Sequence, residues 1–258
     1  MLVLFVLVTV IMVGARQSDA QASPSSGHGA WAAGWPASGR VVFDVLKGAD
    51  GPRLGSSEHR WSHDGERYTM QTQVRTTGLA DLLLNFDYVQ SSAGRIAEGG
   101  LRPERFRIEQ SGRKPEQADF DWTRGMVAIE RKGRIGHYAL GKQDQDLLSL
   151  WHLVAVAGER GLPGELSLVT GRKPVAVRAS IQGRESVRVP AGSLETVRVR
   201  LQAREGKLTL DLWLSTAHRM VPVRILMTDE KGQALDQQAV TIDLQAAGKA
   251  DLPGGGRG

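Results

Sequence analysis

One run of this chain reads as a helix, and nearly everything else reads as strand. The run is Gln143–Val156, Q-D-Q-D-L-L-S-L-W-H-L-V-A-V. At about 100° per residue, Leu147, Leu150, Trp151 and Val154 form one stripe, and Leu148, Leu153, Ala155 and Ala157 widen it well beyond a face of roughly 100°. A helix that is apolar on so many sides must be covered on more than one of them. Among strands, that cover comes from the concave face of a curved sheet, with the helix as either a permanent plug or a movable lid over an apolar cavity. Asp144 or Asp146 is placed to cap its N-terminus and to set negative charge near the positive end of the dipole; Gly158, Gly161 and Pro163 stop it.

The strand signal is period two. Val197, Val199 and Leu201 interleave with Thr196, Arg198 and Arg200; Leu208, Leu210, Leu212 and Leu214 interleave with Thr209, Asp211 and Trp213; Val240, Ile242 and Leu244 repeat the pattern. Such segments joined by short turns predict an antiparallel sheet with one buried and one wetter face. Turn signals stand at Asp64-Gly65, Ser92-Ala93-Gly94, Lys132-Gly133, Gln182-Gly183, Ala191-Gly192, Glu205-Gly206 and Lys231-Gly232. Earlier strands are expected at Arg40–Leu46, Ser56–Ser62, Tyr68–Thr76, Phe86–Ser91, Glu104–Gln110, Met126–Arg131 and Ile135–Leu140. Pro222 belongs at an edge or a bulge, because it cannot donate to a ladder. Roughly a dozen strands exceed what a flat open sheet carries without curling. The expected fold is therefore mainly β: a strongly curved antiparallel sheet, half-open or a partial barrel, with one helix packed in or over its concave face.

The ends differ from this middle. Leu2–Val13 is apolar apart from Thr9 and leads to Ala20-Gln21-Ala22, the pattern of a signal peptide cleaved near Ala22. A dozen apolar residues fall short of the ~20 that span a bilayer, so no transmembrane span is expected after cleavage. Residues 23–37 read as a flexible linker, 38–245 as a single β-rich domain, and 246–258 as a disordered tail. There is no cysteine, which excludes disulfides, thiolate metal sites and cysteine nucleophiles. Export without disulfides suits a periplasmic location. The formal charge of +5 is scattered along the chain, so nucleic-acid binding is not expected, while attraction to an anionic envelope surface remains compatible.

No catalytic constellation stands out in the chain. Ser111-Gly112-Arg113-Lys114 has the spacing of S-x-x-K, but Gly112 and Pro115 place it in a turn that does not hold the required helical geometry. His59 and His63 would lie about 13 Å apart on a strand, too far to share a metal, and read as surface histidines beside a hairpin. Asp119 and Asp121 share a strand face at roughly 7 Å with no evident third partner. His152 sits with Ser149 in the narrow polar sector of the helix and reads as a satisfied histidine. There is no nucleotide-binding fingerprint, so no cofactor, metal or catalytic residue is assigned. Of the six tryptophans, Trp151 is the one on the covering helix.

Seven segments in order carry a resemblance: Phe43–Gly48 with Leu54–Trp61, Thr76–Ala80, Ser92–Phe106, Phe120–Trp122, Gln145–Trp151, Val189–Thr196 and Trp213–Val223. From about Arg40 to Leu244 the chain resembles the bacterial exported family known as domain of unknown function 3108. The resemblance implies a curved antiparallel sheet, loosely similar in layout to the half-barrel of lipoprotein carriers, and transfers no functional residue. The functional expectation is a periplasmic, non-enzymatic binding or carrier protein. Its apolar or lipid-like ligand would lie under the helix against Leu147, Leu150, Trp151 and Val154. The alternatives are an envelope interaction or assembly protein with a solid core, and an envelope hydrolase using Asp119, Asp121 or a histidine.

Overall fold

The structure, a computed structural model, describes residues 34–76, 87–206 and 208–245. The signal-peptide and tail segments, Thr77–Ala80 of the family segments and Phe86 of an expected strand lie outside those residues. Eight strands come first: β1 (Ser38–Lys47), β2 (Arg53–His63), β3 (Arg67–Thr76), β4 (Asp87–Ala97), β5 (Gly100–Gln110), β6 (Glu116–Asp121), β7 (Met126–Arg131) and β8 (Arg134–Ala139). A two-residue β9 (Gln145–Asp146) then leads into the helix α1 (Leu147–Ala157) and a short 3₁₀ turn, Glu159–Gly161. Six more strands follow: β10 (Glu165–Val169), β11 (Pro174–Val189), β12 (Gly192–Ala203), β13 (Leu208–Ser215), β14 (Val221–Asp229) and β15 (Ala234–Gln245).

All fifteen strands form one sheet, ordered β8 back to β1, then β15 back to β9. Every neighbour is also a sequence neighbour except one. β1 pairs with β15, in register from Ser38 opposite Gln245 to Lys47 opposite Leu235, and this single long-range pairing joins the two halves. The pairing is antiparallel except between β9 and β10. The two edges of the sheet, β8 and β9, are connected through residues 140–144, a stretch that spans at most about 18 Å. The sheet must therefore curl back on itself. β9 comes against β5 without pairing to it, and there Gln145 Nε2 donates to the Leu101 carbonyl at 2.8 Å. The result is a strongly curved, unclosed sheet with α1 in its concavity.

The helix starts later than the sequence suggests. Asp144 does not cap it: its carboxylate accepts from the backbone N–H groups of Gly141 and Ser167 at 2.8 Å and so orders the crossing. Asp146 is the cap, accepting from Leu148 and Ser149 N–H, while the Ser149 hydroxyl accepts from Asp146 N–H in a reciprocal capping box. Two expected turns are bulges instead. Gly94 and Gly183 sit inside β4 and β11, where the register slips between Ala93 and Gly94 and between Ile181 and Gly183. A glycine inside a strand pattern marks such a slip as readily as it marks a turn. Pro222 does fall at a bulge: Leu214 faces it while Trp213 faces Arg224, leaving Val223 as the extra residue. A further slip makes Val240 the extra residue opposite Val42–Phe43, and leaves it 36% exposed.

One contiguous apolar core lies within the curve. Leu148, Leu150, Trp151, Leu153, Val154 and Val156 of α1 are buried in it, which accounts for the helix being apolar on nearly all sides. Gly100, with φ +138°, lies where an added Cβ would meet Leu153 Cδ1 at 2.8 Å, so its lack of a side chain lets β5 approach the helix. The outer face of β13 is less wet than alternation predicts. Trp213 lies between the guanidinium groups of Arg198 and Arg224, 4.8 and 5.1 Å from the ring centre, and Asp211 accepts from Arg198 and Arg200.

Candidate functional site

Beneath the apolar surface of α1 runs a buried polar chain. Trp35 Nε1 donates to His152 Nδ1 at 3.0 Å, His152 Nε2 and His59 Nε2 are 2.7 Å apart, and His59 Nδ1 meets Thr72 Oγ1 at 2.7 Å. These contacts fix the tautomers. His152 Nδ1 accepts, so its proton is on Nε2 and is donated to His59 Nε2; His59 then carries its proton on Nδ1, directed to Thr72. No ring nitrogen of the couple keeps a free lone pair. Both rings are fully buried, and burial pushes the His59 pKa down to about 3 and that of His152 well below its ordinary value. The second cause at His152 is repulsion from His59 and His63. The expectation of His59 as a surface residue is thus corrected. It shares the inward face of β2 with Ser57 and Trp61, and that face is covered by α1.

A second buried group adjoins it. Ser92 donates to Asp146 Oδ2 at 2.6 Å, while Asp146 Oδ1 accepts from Leu148 and Ser149 N–H at 2.8 Å each. Burial raises this carboxyl to about 6 despite these bonds. The Tyr68 phenol stands 3.4 Å from Ser92 Oγ, and burial, then the charge of Asp146, raise its pKa well above the usual value. Through these bonds the helix is tied to β2, β3 and β4. It is a fixed plug rather than a lid, since lifting it would break directional bonds among groups with no access to water.

The plug does not fill the concavity. At the end of the sheet where β3 stops and β4 begins, a cavity of about 230 Å³ remains beside Leu147 and Trp151. Its body is apolar, formed by Val45, Val74, Phe106, Ile108, Leu168 and Met227. Several polar side chains in its wall are already engaged. Thr72 bonds His59, Gln90 Nε2 donates to the Tyr88 hydroxyl at 3.0 Å, Ser57 donates to Gln237 Oε1 at 2.7 Å, and Thr170 donates to the Lys173 carbonyl. The mouth lies between the β5–β6 turn, which supplies exposed Arg113 and Lys114, and the β10–β11 turn, which supplies Gly171 and Arg172. Of the four helix residues expected at a ligand site, Leu147 and Trp151 line this cavity, while Leu150 and Val154 pack in the core.

The other candidates are dispersed. Asp119 accepts from Arg105 and Gln117 on the solvent side of β6, and Asp121 accepts from the Arg124 N–H in the following turn. His63 stacks on Trp35 at 4.5 Å between ring centres, and the buried indole of Trp35 shows that the segment expected as linker joins the core before β1. Among the described residues no group of three or more His, Asp or Glu is placed to hold a metal ion. Sequence reasoning missed the basic mouth. Its signal is spread over turns nearly sixty positions apart, and Lys114 drew notice only through its spacing from Ser111.

The family model described as "Protein of unknown function (DUF3108)" matches residues 43–238. The chain belongs to this family. A search among curated proteins finds no match. Among solved structures, one assigned as a lipoprotein of Parabacteroides distasonis aligns at 10% identity over 81% of this chain and 98% of its own, with a TM-score of 0.31. LprF of Mycobacterium bovis aligns at 12% identity over 85% and 91%, with a TM-score of 0.28. A protein assigned as exported, with a YmcC-like fold, from Bacteroides fragilis aligns at 12% identity over 80% and 95%, with a TM-score of 0.30. These scores carry nothing further about fold or function. No helix among the described residues is long and apolar enough to cross a membrane.

Proposed function

We propose that this protein is a non-enzymatic binding or carrier protein of the periplasm that holds one apolar, lipid-like chain in the cavity beside Leu147 and Trp151. The observation that carries the reading is the cavity itself: about 230 Å³ of apolar space beneath a helix held in place by buried polar bonds, opening between two turns. Its volume lies just below the ~300–1,000 Å³ of common small-molecule sites and suits a slender ligand. The absence of a free lone pair on His59 or His152, and the separation of both histidines from Asp119 and Asp121, favour binding over hydrolysis. The leader read at residues 1–22 supports the location.

Two measurements test the reading. The purified full-length chain is extracted and analysed by mass spectrometry for co-purified lipid, and a fluorescent fatty acid is titrated against it. Val74→Trp, which fills the cavity from β3, is expected to abolish binding while leaving the unfolding midpoint unchanged or raised. Probe affinity unchanged in Val74→Trp, or no ligand found by either route, would sink the proposal and leave the envelope-interaction alternative. That alternative draws on the edge strand β8, where Ile135 is 62% exposed.

A further inference from the structure

Two residues in the cavity wall hold protons for which the fold provides no acceptor. Among the described residues, two buried side-chain polar atoms lack a hydrogen-bond partner: Gln145 Oε1, at the β9 crossing, and Trp151 Nε1. Of these two residues only Trp151 lines the cavity. It is 2% exposed, so bulk water does not make up the missing bond. The second proton belongs to Thr72, 1% exposed and a lining residue of the same cavity. The polar chain from Trp35 through His152 and His59 runs in one direction and ends there. Thr72 Oγ1 accepts from His59 Nδ1 at 2.7 Å, so the hydroxyl has its own proton to give onward, and among the described residues no acceptor is bonded to it. Both donors adjoin one ring: the Trp151 indole meets His59 at 65° with ring centres 5.1 Å apart, and Thr72 is bonded to that same histidine. A buried donor without an acceptor bears its full desolvation cost, and an incoming acceptor recovers it.

We infer that the ligand is a neutral lipid-like molecule bearing a carbonyl, whose oxygen accepts from the Trp151 N–H and the Thr72 O–H while its hydrocarbon lies along Val74, Phe106, Leu168 and Met227. This rests on the cavity being the binding site proposed above. A carbonyl oxygen suits two donors because it has lone pairs and no proton of its own. A plain hydrocarbon would leave both protons unanswered, and an ionised group brought to this depth among apolar walls would lose far more solvation than two neutral donors return.

The test uses three probes of about eight heavy atoms, the number that about 230 Å³ holds at about 30 Å³ per water-sized group. They are methyl pentyl ketone, methyl pentanoate, and the alkene that carries a methylene group in place of the ketone oxygen. Each is titrated against the full-length chain while the indole N–H signals are followed by proton–nitrogen NMR, that of Trp151 being assigned by its loss in Trp151→Phe. The ketone or the ester is expected to move the Trp151 signal downfield as the hydrogen bond forms, and the alkene is not. The tighter of the two carbonyl compounds says whether the group is a ketone's or an ester's. Thr72→Val removes the second donor at nearly constant shape. In it the ratio of ketone to alkene affinity is expected to fall about tenfold, whereas Thr72→Ser keeps the ratio. The Trp151 signal is read on the unaltered chain, so the test stands whether or not Thr72→Val folds. A Trp151 signal that moves no further with the carbonyl compounds than with the alkene, or a ratio unchanged in Thr72→Val, would overturn the inference and leave the carrier reading standing. Failure of all three probes to bind would remove the carrier reading itself, and the inference with it.

Discussion

Trp35, His152, His59 and Thr72 form a hydrogen-bonded chain with a single direction, and its neutrality has a consequence for stability. An unfolded histidine takes its proton near pH 6.5, whereas His59 in place takes one only at about 3 and His152 well below its ordinary value. The folded state then binds fewer protons than the unfolded chain. Stability from the pair is full above the unfolded pKa and falls as pH drops below it, by up to about 1.4 kcal/mol per unit for each histidine. Asp146 acts in the opposite sense. Its carboxyl is raised to about 6, so its contribution grows as pH falls through that value. His63, also lowered by burial, sides with the pair. Two deeply buried histidines outweigh one carboxyl. The expected net loss between neutral pH and pH 5 is on the order of 2 kcal/mol. Denaturant midpoints across that range check it, and a flat or rising profile toward acid would contradict the assignment of neutral rings.

At the scale of elements, α1 owes its start to one residue. Asp146 satisfies two backbone N–H groups at the helix N-terminus and accepts a hydrogen bond from the Ser92 hydroxyl with its other oxygen. Asp146→Ala removes all three bonds from a buried site and is expected to cost about 2–4 kcal/mol. Asp146→Asn keeps the capping oxygen and offers an amide that a rotated Ser92 hydroxyl can accept, while removing a buried charge. Its midpoint near neutral pH should lie much closer to wild type than that of Asp146→Ala, and the opposing acid-range term should vanish. Equal losses in the two variants would mean that the charge, rather than the cap, is what the helix needs.

At the scale of the molecule, the long pairing of β1 with β15 joins two meanders, β1–β8 and β9–β15, into one curve. Removing residues 234–245 deprives both β1 and β14 of a neighbour and opens the concavity that α1 fills. The truncated chain is expected to lose cooperative thermal unfolding altogether, as followed by circular dichroism. A sharp transition at a modestly lower temperature would show instead that the meanders fold separately. This dependence on contacts between distant positions also explains what the sequence does not disclose at the cavity. Arg113 and Arg172 meet at the mouth only because the sheet curls, and no local pattern relates one turn to the other.

What the sequence determined by itself was local. Period-two alternation dictated strands, because side chains on a pleated backbone alternate between faces, and the breadth of apolar residues around Leu147–Ala157 dictated a helix covered on several sides. Glycine placement was ambiguous at Gly94 and Gly183, since the same permissive backbone serves a turn or a bulge, and only pairing with the adjacent strand settles which. His59 lay on the face of Trp61 by alternation, but what covered that face came from a helix ninety residues away. The tertiary structure alone decided that α1 is a plug bound through buried polar groups, and that a cavity remains beside it. Both depend on volumes and charges brought together by a strongly curved sheet, and such a curve relates residues by distance in space, which spacing along the chain does not encode.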